Sequence, residues 1–211
     1  MGTLNTLEQA LLRDAYEIAV QDLAEEWRVR RAAREIFWIN LWQSGDRKKG
    51  REVGEDVALD RWVRRMVAEA YPHEATEVDG YGFGINPVGS RTQAWHLDYT
   101  LDYANLFIPI EPFTVKNGTQ YLELSTTLPE DTFRRAIADP DIVDVEALLS
   151  RKGAANVRQL LAEPYTVLKM DFGTIHRGIT NGEAYDRAMF WVSVTRPGGA
   201  GFGGGAAVSD L

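Results

Sequence analysis

From residue 77 onward the chain is a succession of short runs in which apolar and small residues alternate, broken by glycine and proline. "VDGYGFGINPVGS" opens the series, and strand-like runs recur at 92–99, 105–110, 119–124, 165–170, 174–179 and 187–194. Period-two runs of this length, bounded by turn residues, form sheet, and many of them in one chain close into a sandwich or barrel. One longer stretch interrupts the series at roughly 129–162 and reads as a helical insertion. Pro129 suits a first helical turn, and Leu148, Leu149, Val157, Leu160 and Leu161 supply an apolar face.

The residues before 77 have a different period. Thr6-Leu7-Glu8-Gln9 has the form of a capping box, and Leu7, Leu11, Leu12, Tyr16, Val20, Leu23 and Trp27 follow at helical spacing. The helical reading continues towards Trp42 with Arg28, Arg30, Arg31 and Arg34 interleaved. "SGDRKKGREVGED", at 44–56, is a polar loop, and Leu59, Trp62, Val63, Met66, Val67 and Ala70 mark a further amphipathic helix. His73 follows in a Pro-containing turn. Helices first and strands afterwards predict an α+β chain. We expect a single domain over 1–211: a helical support at 1–76, a sheet core at 77–196, and a Gly-rich, mobile tail at 197–211.

Composition narrows the function. The net charge of −8 argues against a nucleic-acid backbone as the main partner. With no cysteine, thiolate metal sites, thiol nucleophiles and disulfides are excluded. The N-terminal residues lack a signal peptide's apolar core and no run is long enough to cross a membrane, so the expected setting is cytoplasmic. At 45% hydrophobic, the chain can bury a sizeable core.

There are only three histidines. His96 lies in "QAWHLDYT", two places before Asp98, and residues i and i+2 of a strand share a face. His176, in "MDFGTIHRGITN", is the remaining candidate for a third ligand. Two imidazoles and one carboxylate on one face form the facial triad of non-haem Fe(II) sites, which leaves positions open for O₂ and a chelating keto acid. A keto acid with a second carboxylate needs a buried cation, which arginine grips with two parallel hydrogen bonds. Arg187 opens the apolar run "RAMFWVSV" and shares one face of it with Met189, Trp191 and Ser193.

His96-Leu97-Asp98, the distal His176 and Arg187 eleven residues later resemble the pattern of the Fe(II)/2-oxoglutarate-dependent dioxygenases, with the phytanoyl-CoA dioxygenase-like branch as the nearest match. "NGTQYLELS" and Asn181 after His176 resemble that branch too, although "LSTTLPE" replaces its Pro-Gly-Ser-His turn. The resemblance spans roughly 78–196. It implies a double-stranded β-helix, that is, a distorted, cupin-like jelly roll with N-terminal helices and a helical insertion. It implies Fe(II) on His96, Asp98 and His176, with 2-oxoglutarate on Arg187 and on Gln93, Asn105 and Thr119. It further implies hydroxylation, desaturation or cyclisation of a small molecule, with O₂ consumed and 2-oxoglutarate decarboxylated to succinate. Asp98 stands where related halogenases carry a small residue, which points away from halogenation. Tyr81, Phe83, Arg177 and Trp191 are candidates for binding the substrate, the first three at its mouth and Trp191 as core or pocket wall, and the segments 44–56 and 129–162 are candidates for a lid. Two other readings stay open: a cupin-like metal enzyme that does not use 2-oxoglutarate, and a jelly-roll binding module without turnover. Oligomeric state is not legible.

Overall fold

The computed structural model describes residues 2–43, 57–96, 103–123, 157–172 and 174–197. Asp98, most of the 129–162 insertion, the 44–56 loop and the tail after 197 lie outside the described residues.

The apolar positions of helix α3 (Val57–Ala70) recur every three or four residues, so they fall on one stripe. Leu59, Trp62, Val63, Met66, Val67 and Ala70 are all buried. That stripe packs on one face of a five-stranded antiparallel sheet. Its strands are β1 (Phe37–Gln43), β2 (Glu77–Asn86), β8 (Arg187–Thr195), β3 (Tyr103–Pro109) and β6 (Leu168–Met170), in spatial order β1-β2-β8-β3-β6. Helix α1 (Thr6–Asp22) joins the same layer through Leu12, Ala19 and Tyr16, whose ring meets Phe83 edge-on at 5.2 Å. The Trp62 ring lies 5.9 Å from Phe190.

β8 is buried along all nine residues. Its two faces enter different environments. Ala188, Phe190, Val192 and Val194 belong to the helix-side core. Met189 and Trp191 belong to a second, smaller cluster with Phe107, Phe113 and Met170. Register carries this division across the sheet: Phe83 pairs with Phe190 and Ala188 with Ile85, whereas Gly82 and Phe107 pair with Trp191. The small cluster faces a three-stranded sheet, β5 (Val157–Gln159), β4 (Thr119–Leu122) and β7 (His176–Gly178), in order β5-β4-β7. The ring of Phe107 on the large sheet is 6.1 Å from that of His176 on the small one.

Three local readings of the sequence need correction. Asn5, not Thr6, caps α1: its side chain accepts the amides of Leu7 and Glu8, and the Glu8 carboxylate accepts the Asn5 amide. The helix does not run on to Trp42. It breaks at Leu23, resumes as α2 (Ala24–Ala33) and closes at Arg34, which adopts the left-handed conformation with φ 58°. The Glu35 amide donates to the Arg30 carbonyl and the Arg34 amide to Arg31, the pairing of a Schellman stop. The aromatic and β-branched residues of "FWINLWQ" then pair with β2 as a strand. The end of the expected insertion is extended rather than helical: Val157 pairs with Leu122, and Ala162 exchanges two backbone hydrogen bonds with Phe113.

Candidate active site

The segment around residues 92–96 is zipped to β7. The Gln93 amide donates to the Gly178 carbonyl at 2.8 Å, and the Thr180 amide to the Thr92 hydroxyl at 2.9 Å. His96 and His176 exchange both backbone hydrogen bonds at 3.0 Å. Such a mutual pair sets two side chains on one face of an antiparallel ladder, and the rings stand 4.6 Å apart, centroid to centroid. His176 is buried and His96 half-buried.

Each ring is held in the same way. Nδ1 of His96 lies 2.9 Å from the Ala94 carbonyl, and Nδ1 of His176 lies 3.1 Å from that of Thr174. A carbonyl only accepts, so Nδ1 carries the proton and Nε2 the lone pair. An imidazole nitrogen binds a first-row metal ion at about 2.1 Å, so two rings on one ion at a right angle have centroids roughly 4.5 Å apart. The observed spacing fits that arrangement. Among the described residues no third His, Asp or Glu joins the pair; Asp98, two places beyond His96, lies outside them.

Arg187 starts β8 on the inner face and is 1% exposed. One Nη donates to the Asn117 carbonyl, just before β4, and the guanidinium lies 5.0 Å over the Phe113 ring. Its Nε has no partner among the described residues. Burial pulls its pKa down to about 10, against an opposing pull from Glu111. It therefore stays charged at neutral pH. Glu111 is no tight counter-ion, since one of its carboxylate oxygens accepts the Ala188 amide at 2.7 Å and burial raises its pKa. A buried cation so weakly paired is costly unless an anion joins it.

The other predicted residues fall into three groups. Thr119 is buried, pairs with Gly178 and sits at the inner end of β4. Asn105 and Trp191 are buried on the inner face of the large sheet; Asn105 accepts the Ser193 hydroxyl at 3.1 Å. The indole N–H of Trp191 has no partner among the described residues. Gln93 acts structurally. Its side-chain oxygen accepts the Gly178 amide at 2.8 Å, which clamps β7 two residues beyond His176. A Cβ on Gly178 would sit 2.6 Å from that oxygen, so a larger residue there would displace the Gln93 side chain.

Tyr81, Phe83 and Arg177 do not line the interior. Tyr81 and Phe83 point into the helix layer, where their rings meet Phe190. Arg177 alternates with His176 and turns outward, with its guanidinium 4.2 Å over Trp95 and a hydrogen bond to Gln120. Sequence reasoning passes over Asn86, Phe107 and Phe113. Asn86 pairs with Arg187 on the inner face, is 1% exposed, and has no partner for either end of its amide among the described residues. The available signal is a lone polar side chain closing a strand whose preceding inward positions are glycines.

No family model matches the sequence, and no curated protein matches it by sequence. Solved structures match it in shape. AviO1 from Streptomyces viridochromogenes Tue57 superposes with a TM-score of 0.64 at 16% identity, covering 93% of this chain and 88% of that one. SnoK, the non-haem α-ketoglutarate-dependent carbocyclase from nogalamycin biosynthesis, gives 0.59 at 12% identity, over 92% of this chain and 76% of that one. EctD from S. alaskensis with bound Fe gives 0.58 at 15% identity, over 92% and 70%. The core is a double-stranded β-helix. In that fold the β-helix interior is the space between the two sheets, where both histidines and Arg187 lie. No described helix is long and apolar enough to cross a membrane.

Proposed function

We propose that this chain is a non-haem Fe(II)- and 2-oxoglutarate-dependent oxygenase acting on a small molecule. The observation that carries the reading is the buried guanidinium of Arg187 sharing one interior with a pair of histidines spaced for a single ion. His96 and His176 hold the metal through Nε2, and Asp98 completes the set by its His-x-Asp spacing. The bound metal supplies O₂ activation coupled to decarboxylation of the keto acid. Four electrons reduce O₂; two come from 2-oxoglutarate, which becomes succinate and CO₂, and two from the substrate.

The chain's own residues bind, orient and exclude water. Arg187 fixes the far carboxylate of the cosubstrate. The guanidinium is anchored at Asn117, and His176 pairs with Tyr121 four residues further along. Asn117 lies in the turn before β4 and Tyr121 within it, so the guanidinium and the histidine pair stand at different levels of the small sheet. Thr119 lies between those two levels and offers its hydroxyl. Gln93 acts by holding β7, and so positions His176. Phe107, Met170, Met189 and Phe113 keep the interior dry. Trp191 and Asn105, further along the inner face, border the substrate.

Support also comes from the structures of the same shape: SnoK is named as α-ketoglutarate-dependent, SnoN as an α-ketoglutarate-dependent epimerase, and EctD carries bound Fe. A cupin-like enzyme without 2-oxoglutarate would not need the buried Arg187. The test is succinate formation from 2-oxoglutarate under air. The wild type with Fe(II) should form succinate above the rate without protein, and His176→Ala should not. Equal rates for the two proteins would refute the assignment.

A further inference from the structure

Three buried polar atoms on the inner faces of β2 and β8 are hard to reconcile with a finished core. Asn86 is 1% exposed, and neither its side-chain nitrogen nor its oxygen has a partner among the described residues. Arg187 is equally buried, with its Nε unpartnered. The two residues are register partners across β2 and β8, so their side chains leave the sheet on the same face, with Cβ atoms about 5 Å apart. Asn86 reaches across the interior: the Cβ direction of Gly178, on the opposite sheet, ends 3.7 Å from its Nδ2. Gly178 shares the inner face of β7 with His176. The Asn86 amide therefore lies between the guanidinium and the histidine pair.

Its backbone is fixed independently of any ligand. Pro87 follows and holds residue 86 extended. The Asn181 amide donates to the Asn86 carbonyl at 3.0 Å and to that of Tyr185 at 2.8 Å. An orphaned buried amide is destabilising, and nothing in the backbone geometry requires an amide here.

We infer that Asn86 is a second donor to the distal carboxylate of the cosubstrate. Its Nδ2 group and the Nε of Arg187 converge on the same anion, with the Thr119 hydroxyl at the same level of the facing sheet. This assigns Asn86 a share in choosing a dicarboxylic keto acid over a monocarboxylic one. It rests on the oxygenase reading above.

The test uses two keto acids that chelate alike and differ at the far end, 2-oxoglutarate and 2-oxobutyrate. Binding to the Fe(II)-loaded protein is measured by calorimetry without oxygen. Asn86→Leu should weaken 2-oxoglutarate 10- to 100-fold, the range of a lost hydrogen bond to a charged group, and should change 2-oxobutyrate less than about twofold. Asn86→Asp, which sets a like charge against the anion, should weaken 2-oxoglutarate further still and again spare 2-oxobutyrate. Asn86→Ser serves if the leucine variant does not fold, with the same selective loss expected. A merely structural Asn86 would weaken both ligands together, and a water-satisfied one would change neither; either result overturns the inference. A wild-type protein that does not prefer 2-oxoglutarate overturns the reading of Arg187 as well. Preference in the wild type with no loss in Asn86→Leu removes Asn86 alone.

Discussion

Replacing Arg187 with methionine separates a binding cation from a structural one. Burial lowers the pKa of this side chain from its ordinary value to about 10. At about 1.4 kcal/mol per unit, holding the guanidinium charged opposes folding by roughly 3 kcal/mol at neutral pH. Against that stands its hydrogen bond to the Asn117 carbonyl, worth about 1.5–3 kcal/mol for a charged donor. Methionine fills a similar volume without the charge, so the two terms nearly cancel. Arg187→Met should then melt within a few degrees of the wild type. The ligand response should differ sharply. At a 2-oxoglutarate concentration 100 times the Kd, binding stabilises the wild type by about 2.7 kcal/mol. For a domain of this size that raises Tm by roughly 5–10 °C. Arg187→Met should show no such rise. The assay is a thermal melt of the Fe(II)-loaded protein without oxygen, with and without 2-oxoglutarate. A variant that is unfolded at 25 °C would make Arg187 a structural residue. A variant that keeps the ligand-induced rise would refute its role as the carboxylate anchor.

Gly178→Ala should force the Gln93 side chain away from β7, because the new Cβ would stand 2.6 Å from its oxygen. Fe(II) affinity should fall at least tenfold, measured by competition with a chelator, while the far-ultraviolet spectrum stays native. Trp62→Ala should cost about 3–5 kcal/mol in urea unfolding, since the ring is buried against Phe190. The pH dependence has a definite sign. A folded pKa below the unfolded value means that the cost of the Arg187 charge is present below pH about 10 and fades as pH rises from there towards the ordinary arginine value. Binding of the carboxylate needs the charged form, so 2-oxoglutarate affinity should drop as pH passes about 10, measured relative to 2-oxobutyrate.

Much of the fold is legible in the sequence for identifiable reasons. β2 alternates aromatic or β-branched residues with glycine, β3 and β8 are β-rich apolar runs, and the α3 stripe is strictly periodic. β1 is hidden because its tryptophans continue the spacing of the preceding helix. The stop lies in the backbone at Arg34, a left-handed residue that composition does not announce. The extended course of 157–162 is hidden as well, since Val157, Leu160 and Leu161 have helical spacing and acquire strand geometry only by pairing with β4 and Phe113.

The site shows the same division. Period-two alternation separates Arg187, Met189 and Trp191 from Ala188, Phe190 and Val192, and the structure keeps that separation. Alternation does not say which set faces the interior, because the five-stranded sheet is buried on both sides and both sets are apolar. That is why Tyr81 and Phe83 read as mouth residues yet pack under the helices. Arg177 misleads for a simpler reason: its neighbour His176 faces inward, and adjacent residues of a strand cannot both do so. Asn86 leaves almost no trace, since one asparagine before a proline reads as a turn.

The central claim is that His96, Asp98 and His176 hold one Fe(II) to which 2-oxoglutarate chelates. The measurement that addresses it most directly is titration of the metal-free protein with Fe(II) and then 2-oxoglutarate without oxygen, read as the visible metal-to-ligand charge-transfer absorption. The account predicts a band that saturates at one equivalent of iron, disappears in His96→Ala, Asp98→Ala and His176→Ala, and weakens in Arg187→Met. Iron binding with no band, or a band that survives in His176→Ala, would contradict it.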